Sequence, residues 1–298
     1  MLVALLAGPS LALAVQVPAA SVSAALVKAR GYILSQQVGG NWEGTEQPNY
    51  AAQKTGWTAL AVNALLAAGA NPQDPPVAEA IKFLKANDTD GVYALGQRLQ
   101  VWQRLPAAPD VRAAAELDTE KLIKGVGLKG DAKGMYGYSV TGGGYSHSRA
   151  QYGVLGLATA ERMGIPVPDN LWKLEQAAWI GHQLDDGGWT YQKAVDANHP
   201  ATAGMTSAGV ASLMLIQDSL REGDSPDCRP VAPNPSVLRG LDWLGKHADE
   251  IADDRQNPRN YPYPTLYGIE RVGAAGGIKY FGTVDWYAKG AKWLVDTQ

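Results

Sequence analysis

Two histidines occupy matching places in the chain. His147, followed by Arg149, stands ahead of an apolar stretch that begins near Gln151, and His199, preceded by Asp196, stands ahead of another that begins near Thr202. Imidazole changes charge near neutral pH and ligates transition metals, so two such rings with one carboxylate could bind a metal or relay a proton. The plainer alternative is a pair of solvated loop histidines. Glu161 and Glu270 fall inside stretches that read as buried helices, where a carboxylate needs a partner or serves as a general acid. Their neighbours Arg162 and Arg271 are no partners, because adjacent helical residues point about 100° apart. The acidic runs Asp88-Thr89-Asp90, Asp185-Asp186 and Asp253-Asp254 lie in turns or at helix ends, the usual place of capping carboxylates.

The elements that position these groups are helices of two kinds. One-faced amphipathic helices are predicted at 23–35, 77–86, 111–123, 170–182, 235–247 and 284–296. In the fourth, Leu171, Leu174, Ala178 and Trp179 form the apolar stripe while Lys173, Glu175 and Gln176 face away. Between them run stretches that are small or apolar on nearly every side, at 57–68, 151–160, 205–216 and 265–275, with a more polar member at 94–105. A helix that is apolar all round is buried all round. Trp57, Trp102, Tyr152 and Tyr267 belong to this second class and either line a cavity or pack in the core.

A motif separates the two kinds. Gln36 to Trp42 (QQVGGNW) and Gln183 to Trp189 (QLDDGGW) both read QxxxGxW. Relaxed copies run through Asn87, Gly91 and Tyr93 and through Gly130, Gly134 and Tyr136, and a junction at Tyr261 to Tyr263 keeps only the aromatics. The period of roughly fifty residues marks a repeat protein, whose units bury their apolar faces by stacking. Gly40 and Gly187 are expected to make a tight turn, Gln36 and Gln183 to bond backbone groups freed at helix ends, and Trp42 and Trp189 to stack on the next repeat. All six are read as structural.

These motifs, the helices leading into them and the period resemble the α/α toroids of squalene and hopene cyclases and of protein prenyltransferase β-subunits. The segments SRAQYGVLGL, TSAGVASLMLIQDSL and YGIERVG also resemble exported bacterial proteins in which such a toroid opens a longer chain. The resemblance implies an all-α fold of two concentric helical rings over residues 23–298, with about five to six hairpins and an unfinished repeat at Gln298. It implies no standard chemistry. The cyclases' DxDD acid is absent, and so is the DDxxD that holds magnesium and diphosphate. Cys228 follows Asp227 directly, where the transferases place their zinc-binding Asp and Cys one residue further apart. No Cys-Gln thioester pair occurs.

Bulk properties narrow the partners. The 26 basic and 29 acidic side chains give a net charge of −3 without a basic cluster, which argues against nucleic acid. Nine Trp and thirteen Tyr against two Phe suit cavity walls with polar edges. The single Cys228 excludes an internal disulfide framework and reads as an inert loop thiol. Leu2 to Ala14 is a short apolar run closing on Ala12-Leu13-Ala14, the pattern of a signal peptide, with 15–22 as linker. The expectation is therefore an exported toroid that binds or scaffolds, with an apolar or isoprenoid-like ligand in its ring cavity, no metal and no cofactor. Membrane association stays open. The alternatives are a divergent terpenoid cyclase or isoprenoid-modifying enzyme using Glu161, Glu270, His147 or His199 as its acid, and a carbohydrate-active (α/α) barrel with paired carboxylates.

Overall fold

The computed structural model describes residues 17–44, 53–193, 200–220, 234–251 and 261–298. The expectations placed on residues 1–14, Asp196, His199, Cys228 and Asp253-Asp254 lie outside them. The fold is all-α. Among the described residues, eleven α-helices run in chain order: α1 (Ala19–Ser35), α2 (Gly56–Ala67), α3 (Pro75–Ala86), α4 (Val92–Arg104), α5 (Pro109–Gly125), α6 (His147–Arg162), α7 (Asp169–Gly181), α8 (Ala203–Ser219), α9 (Pro235–Lys246), α10 (Pro262–Gly276) and α11 (Trp286–Thr297).

The two sequence classes separate in the packing. The even-numbered helices stack on one another in order, α2 on α4, α4 on α6, α6 on α8 and α8 on α10. The odd-numbered helices lie against them: α3 on α2, α5 on α4 and α6, α7 and α9 on α8, and α11 on α10. Helix α1 touches both α2 and α11, and Nε2 of Gln298 donates to the Ala25 carbonyl over 2.8 Å. In α6 and α8 residues on every side are buried, as their lack of a polar face predicts. The closest approach, α4 against α6, depends on paired glycines. A Cβ on Gly96 would stand 2.5 Å from the Tyr152 carbonyl oxygen, and one on Gly156 would stand 3.2 Å from the Gly96 Cα.

The QxxxGxW turns tie each repeat to the next. The Trp42 indole donates to the Ile33 carbonyl at 2.7 Å, and the Trp42 amide to the Thr58 hydroxyl at 3.1 Å. Trp189 repeats both bonds, to the Trp179 carbonyl at 2.9 Å and the Thr206 hydroxyl at 3.1 Å. Each motif thus joins the end of an odd helix to the start of the following even one. Gly40, Gly134 and Gly187 all have positive φ, and a Cβ on Gly187 would stand 2.7 Å from the Arg239 carbonyl oxygen, so only glycine suits that turn.

Four expectations need correction. Gln183 does bond the start of the next odd helix, at the Ser236 carbonyl, but the matching bond to the Pro76 carbonyl comes from Gln37, while the exposed Gln36 donates only to the Ser35 hydroxyl. The tightest local match in the motif is thus one residue out of register with the contact. Gly91 has an ordinary φ of −75° and Tyr93 already lies in α4, so that relaxed copy is not a turn of the same kind. Helix α11 starts at Trp286 instead of Val284, because residues 280–285 form a small hairpin and the Asp285 carboxylate caps the helix through the Ala288 amide at 2.9 Å. Glu175 is fully buried instead of facing away.

Candidate functional site

A pocket of about 720 Å³ opens where the even helices begin. It collects residues from the first two turns of each: Trp57 of α2, Tyr93 of α4, Ser148, Arg149, Gln151 and Tyr152 of α6, Met205 of α8 and Pro264 of α10. Five helix N-termini therefore surround one cavity, and several of their first amides are already paired, Val92 with the Tyr138 carbonyl, His147 with that of Tyr191, Met205 with the Thr202 hydroxyl and Thr58 with the Glu43 carboxylate. Tyr138 and the loop from Thr190 to Lys193 complete the wall, with Tyr261.

The wall is built from aromatic rings, neutral polar groups and two cations. Tyr93 meets Tyr152 edge to face at 5.0 Å and donates to the Ser148 hydroxyl at 2.9 Å, which lies 2.6 Å from that of Ser146. The Arg149 guanidinium lies over the Tyr138 ring, 3.5 Å from its centroid, yet its Nε is sealed from solvent without an acceptor. Lys193 is the second cation. No carboxylate lines the pocket among the described residues. Burial pushes the Tyr93 and Tyr191 phenols up to about 12 and raises Tyr152 as well, so all three remain hydroxyl donors at neutral pH.

Beneath the pocket, polar side chains cross between the even helices. Arg271 of α10 donates through Nη2 to Gln151 Oε1 of α6, leaving its buried Nε and Nη1 without acceptors. The Tyr267 hydroxyl donates to Gln100 of α4 at 3.0 Å, and Asn63 of α2 donates to Gln97 at 3.1 Å while accepting from Arg104 Nε at 2.8 Å. A polar network therefore crosses between the even helices beneath the pocket.

Most of the residues expected to carry chemistry lie elsewhere. His147 is the first residue of α6, not a loop residue ahead of it, and it is fully buried. Its Nδ1 faces the Thr190 carbonyl and must therefore carry the proton, which leaves Nε2 to accept from Nδ1 of His182 at 3.0 Å. Its partner is thus the α7 C-cap, which the sequence offered only as the end of an amphipathic helix. Burial pulls His147 down to about 3 and lowers His182 too, so the neutral pair is a pin holding the 190–193 loop. Glu161 accepts from the Trp172 indole at 2.8 Å, outside the pocket. Glu270 is exposed and borders a different cavity. Trp102 is core, donating to Asp118 at 2.7 Å, and Tyr267 belongs to the network below. Of the four cavity candidates, Trp57 and Tyr152 line the pocket.

The second cavity, about 830 Å³, is an apolar groove among α1, α10 and α11, lined by residues such as Leu26, Leu266, Trp286 and Leu294. Glu270 is its one carboxylate among the described residues. The acidic turns pair or cap: Lys121 holds Asp88 at 2.6 Å and Asp90 at 3.0 Å, while Asp186 accepts from the Gly188 amide and the Trp243 indole. Among the described residues no group of three His, Cys, Asp or Glu could hold a metal, and no helix is long and apolar enough to cross a membrane. The chain matches no protein-family model and no curated protein.

Proposed function

We propose that this chain is a repeat domain of the α/α toroid kind whose activity is binding, through the pocket at the start of its even-numbered helices. The ordered stacking of those helices, the flanking odd helices and the contact between α1 and α11 support the toroid reading. One observation carries the functional reading. The pocket draws on all five even helices yet presents donors, aromatic faces and cations, with no carboxylate or imidazole among the described residues to give or take a proton. Alkene protonation needs a strong acid, and paired-carboxylate hydrolysis needs two carboxyls flanking one bond. The described wall offers neither. Export to the periplasm or cell exterior, drawn from residues 1–14, belongs to the same proposal.

The rival reading, an isoprenoid-modifying enzyme, finds its best footing in the apolar groove with Glu270 at its edge. That carboxyl is exposed, and no second carboxylate stands with it among the groove's described residues. Incubating the purified chain with squalene, linear polyprenes and prenyl diphosphates decides between the two. The binding reading expects no product, and turnover abolished by Glu270→Gln would overturn it. Titration of ligand panels against Trp57 fluorescence expects saturable quenching lost in Trp57→Ala.

A further inference from the structure

We infer that the pocket at the start of the even helices binds an acidic saccharide, a short oligosaccharide with uronate carboxyl groups; this rests on the binding reading above. Three features of the wall select that chemistry. Trp57, Tyr138 and Tyr261 line the opening and are each about half exposed, at 58%, 47% and 59%. Flat rings left open to water are apolar faces with polar edges, suited to the C–H faces of a pyranose. Between them stand neutral hydrogen-bonding groups, Ser146, Ser148, Gln151 and Gln192, whose remaining donor and acceptor capacity suits ring hydroxyls.

The third feature is uncompensated positive charge. Arg149 and Lys193 line the cavity with no carboxylate opposite them among the described residues, and Nε of Arg149 is buried without an acceptor. A guanidinium that faces a cavity matches a carboxylate in a two-bond fork. Two cations in a chain of net charge −3 do not make a polyphosphate track, which needs a run of basic residues along a groove. A neutral sugar can accept from Arg149 but leaves both cations without a counter-charge. The pocket volume of about 720 Å³ has room for a short oligosaccharide.

The test is calorimetric titration of the purified full chain with trimers of galacturonate, glucuronate and mannuronate, with their methyl esters, and with sodium phosphate and benzoate. At least one acidic trimer is expected to bind, its methyl ester about ten-fold or more weakly. Arg149→Gln is expected to weaken the acidic trimer about ten-fold or more and to narrow the gap between acid and ester. Should that variant fail to fold, Lys193→Gln on the loop is expected to shift affinity in the same direction. Equal binding of acid and ester, an unchanged affinity in Arg149→Gln, or no binding of any trimer would each overturn the inference. The last outcome separates the two levels. Phosphate or benzoate binding lost in Arg149→Gln would leave a binding pocket for another anion, whereas silence from every probe would count against the binding reading itself.

Discussion

The Tyr136 hydroxyl donates to Glu175 Oε1 across 2.8 Å, and neither residue has any exposed surface. Tyr136 ends a relaxed copy of the repeat motif and Glu175 lies on α7, so the bond fastens one turn to the odd helix that follows. The second carboxyl oxygen, Oε2, is buried without a partner. Burial is the larger influence and the Tyr136 bond the smaller opposing one, and together they push Glu175 up to about 8 from 4.5. The folded protein therefore holds this acid neutral at pH 7, while the unfolded chain ionises it above 4.5.

That difference has a sign. Between pH 4.5 and about 8 the folded state binds the extra proton, so stability falls as pH rises through that window and levels off above it. The ceiling of the loss is on the order of 5 kcal/mol. Glu175→Gln keeps a neutral acceptor for Tyr136 and removes the titration. Urea unfolding at pH 6.5 and pH 9, above the window in which His147 contributes a slope, is expected to show a marked drop in midpoint for the parent chain and little change for the variant. Equal drops in both would show that Glu175 is not the group responsible.

His147 works from the other side. Burial lowers it from 6.5 to about 3, with the Thr190 bond opposing and His182 reinforcing, so its contribution is complete above pH 6.5 and lost as pH falls toward 3. Its ring is enclosed by His182, Tyr145 and Trp179, none of which supplies a counter-charge. With Glu175 the result is a plateau near pH 4.5 to 6.5, where the two slopes cancel. His147→Asn retains a side-chain N–H for the Thr190 carbonyl and is expected to flatten the acid limb and to turn the plateau between pH 4.5 and 6.5 into a fall set by Glu175 alone. A thermal-melt series from pH 3 to pH 9 checks this, and an acid limb unchanged in the variant would remove His147 as its cause.

The helices were legible because their hydrophobic period is local: every predicted helix appears, with ends shifted by a few residues. The partners of polar residues were not. Glu175 follows the polar side of its helix in sequence, but Tyr136 and α6 cover that side, and no pattern within thirteen residues shows a neighbour brought by another repeat. His182 and Asp118 were missed for the same reason, as burial sites made by contacts from distant segments. Trp57 and Trp102 fall in the same helix class, yet one is at the pocket and the other in the core. The start of a helix differs from its end only once the bundle is assembled. The cations of the pocket were visible as residues but not as a set, because Arg149 and Lys193 come together through the pinned 190–193 loop.

Arg98 and Asp118 form a pair with almost no exposed surface, Nε to Oδ2 at 2.8 Å, and Arg98 also donates to the carbonyls of Leu84 and Asn87. Burial raises Asp118 while Arg98 pulls it down, and the Trp102 indole adds a second donor to the same oxygen. Removing one charge leaves the other buried and uncompensated, which costs about 3–5 kcal/mol. Asp118→Ala is expected to lose that much in denaturant unfolding. The double variant Asp118→Leu with Arg98→Met is expected to recover part of it, since a packed apolar pair avoids the stranded charge. A double variant as unstable as the sum of the singles would contradict this account.

Trp189 shows how tightly the motif is fitted. Its ring lies against two glycines, Gly209 of α8 and Gly240 of α9, where an added Cβ would come within 2.5 Å and 3.0 Å of ring atoms. The ring cannot swing away without breaking its bond to the Trp179 carbonyl. Gly209→Ala is therefore expected to destabilise by overpacking, about 1–3 kcal/mol, although alanine is the better helix former at an ordinary site. Trp189→Leu is expected to cost more, about 3–5 kcal/mol, through the cavity it opens and the lost bond. The double variant distinguishes fit from propensity. If the ring is what excludes the methyl group, the two losses are less than additive, because the space opened by leucine accepts the alanine Cβ. Strict additivity in thermal or urea unfolding would mean that the strain of Gly209→Ala arises somewhere other than Trp189.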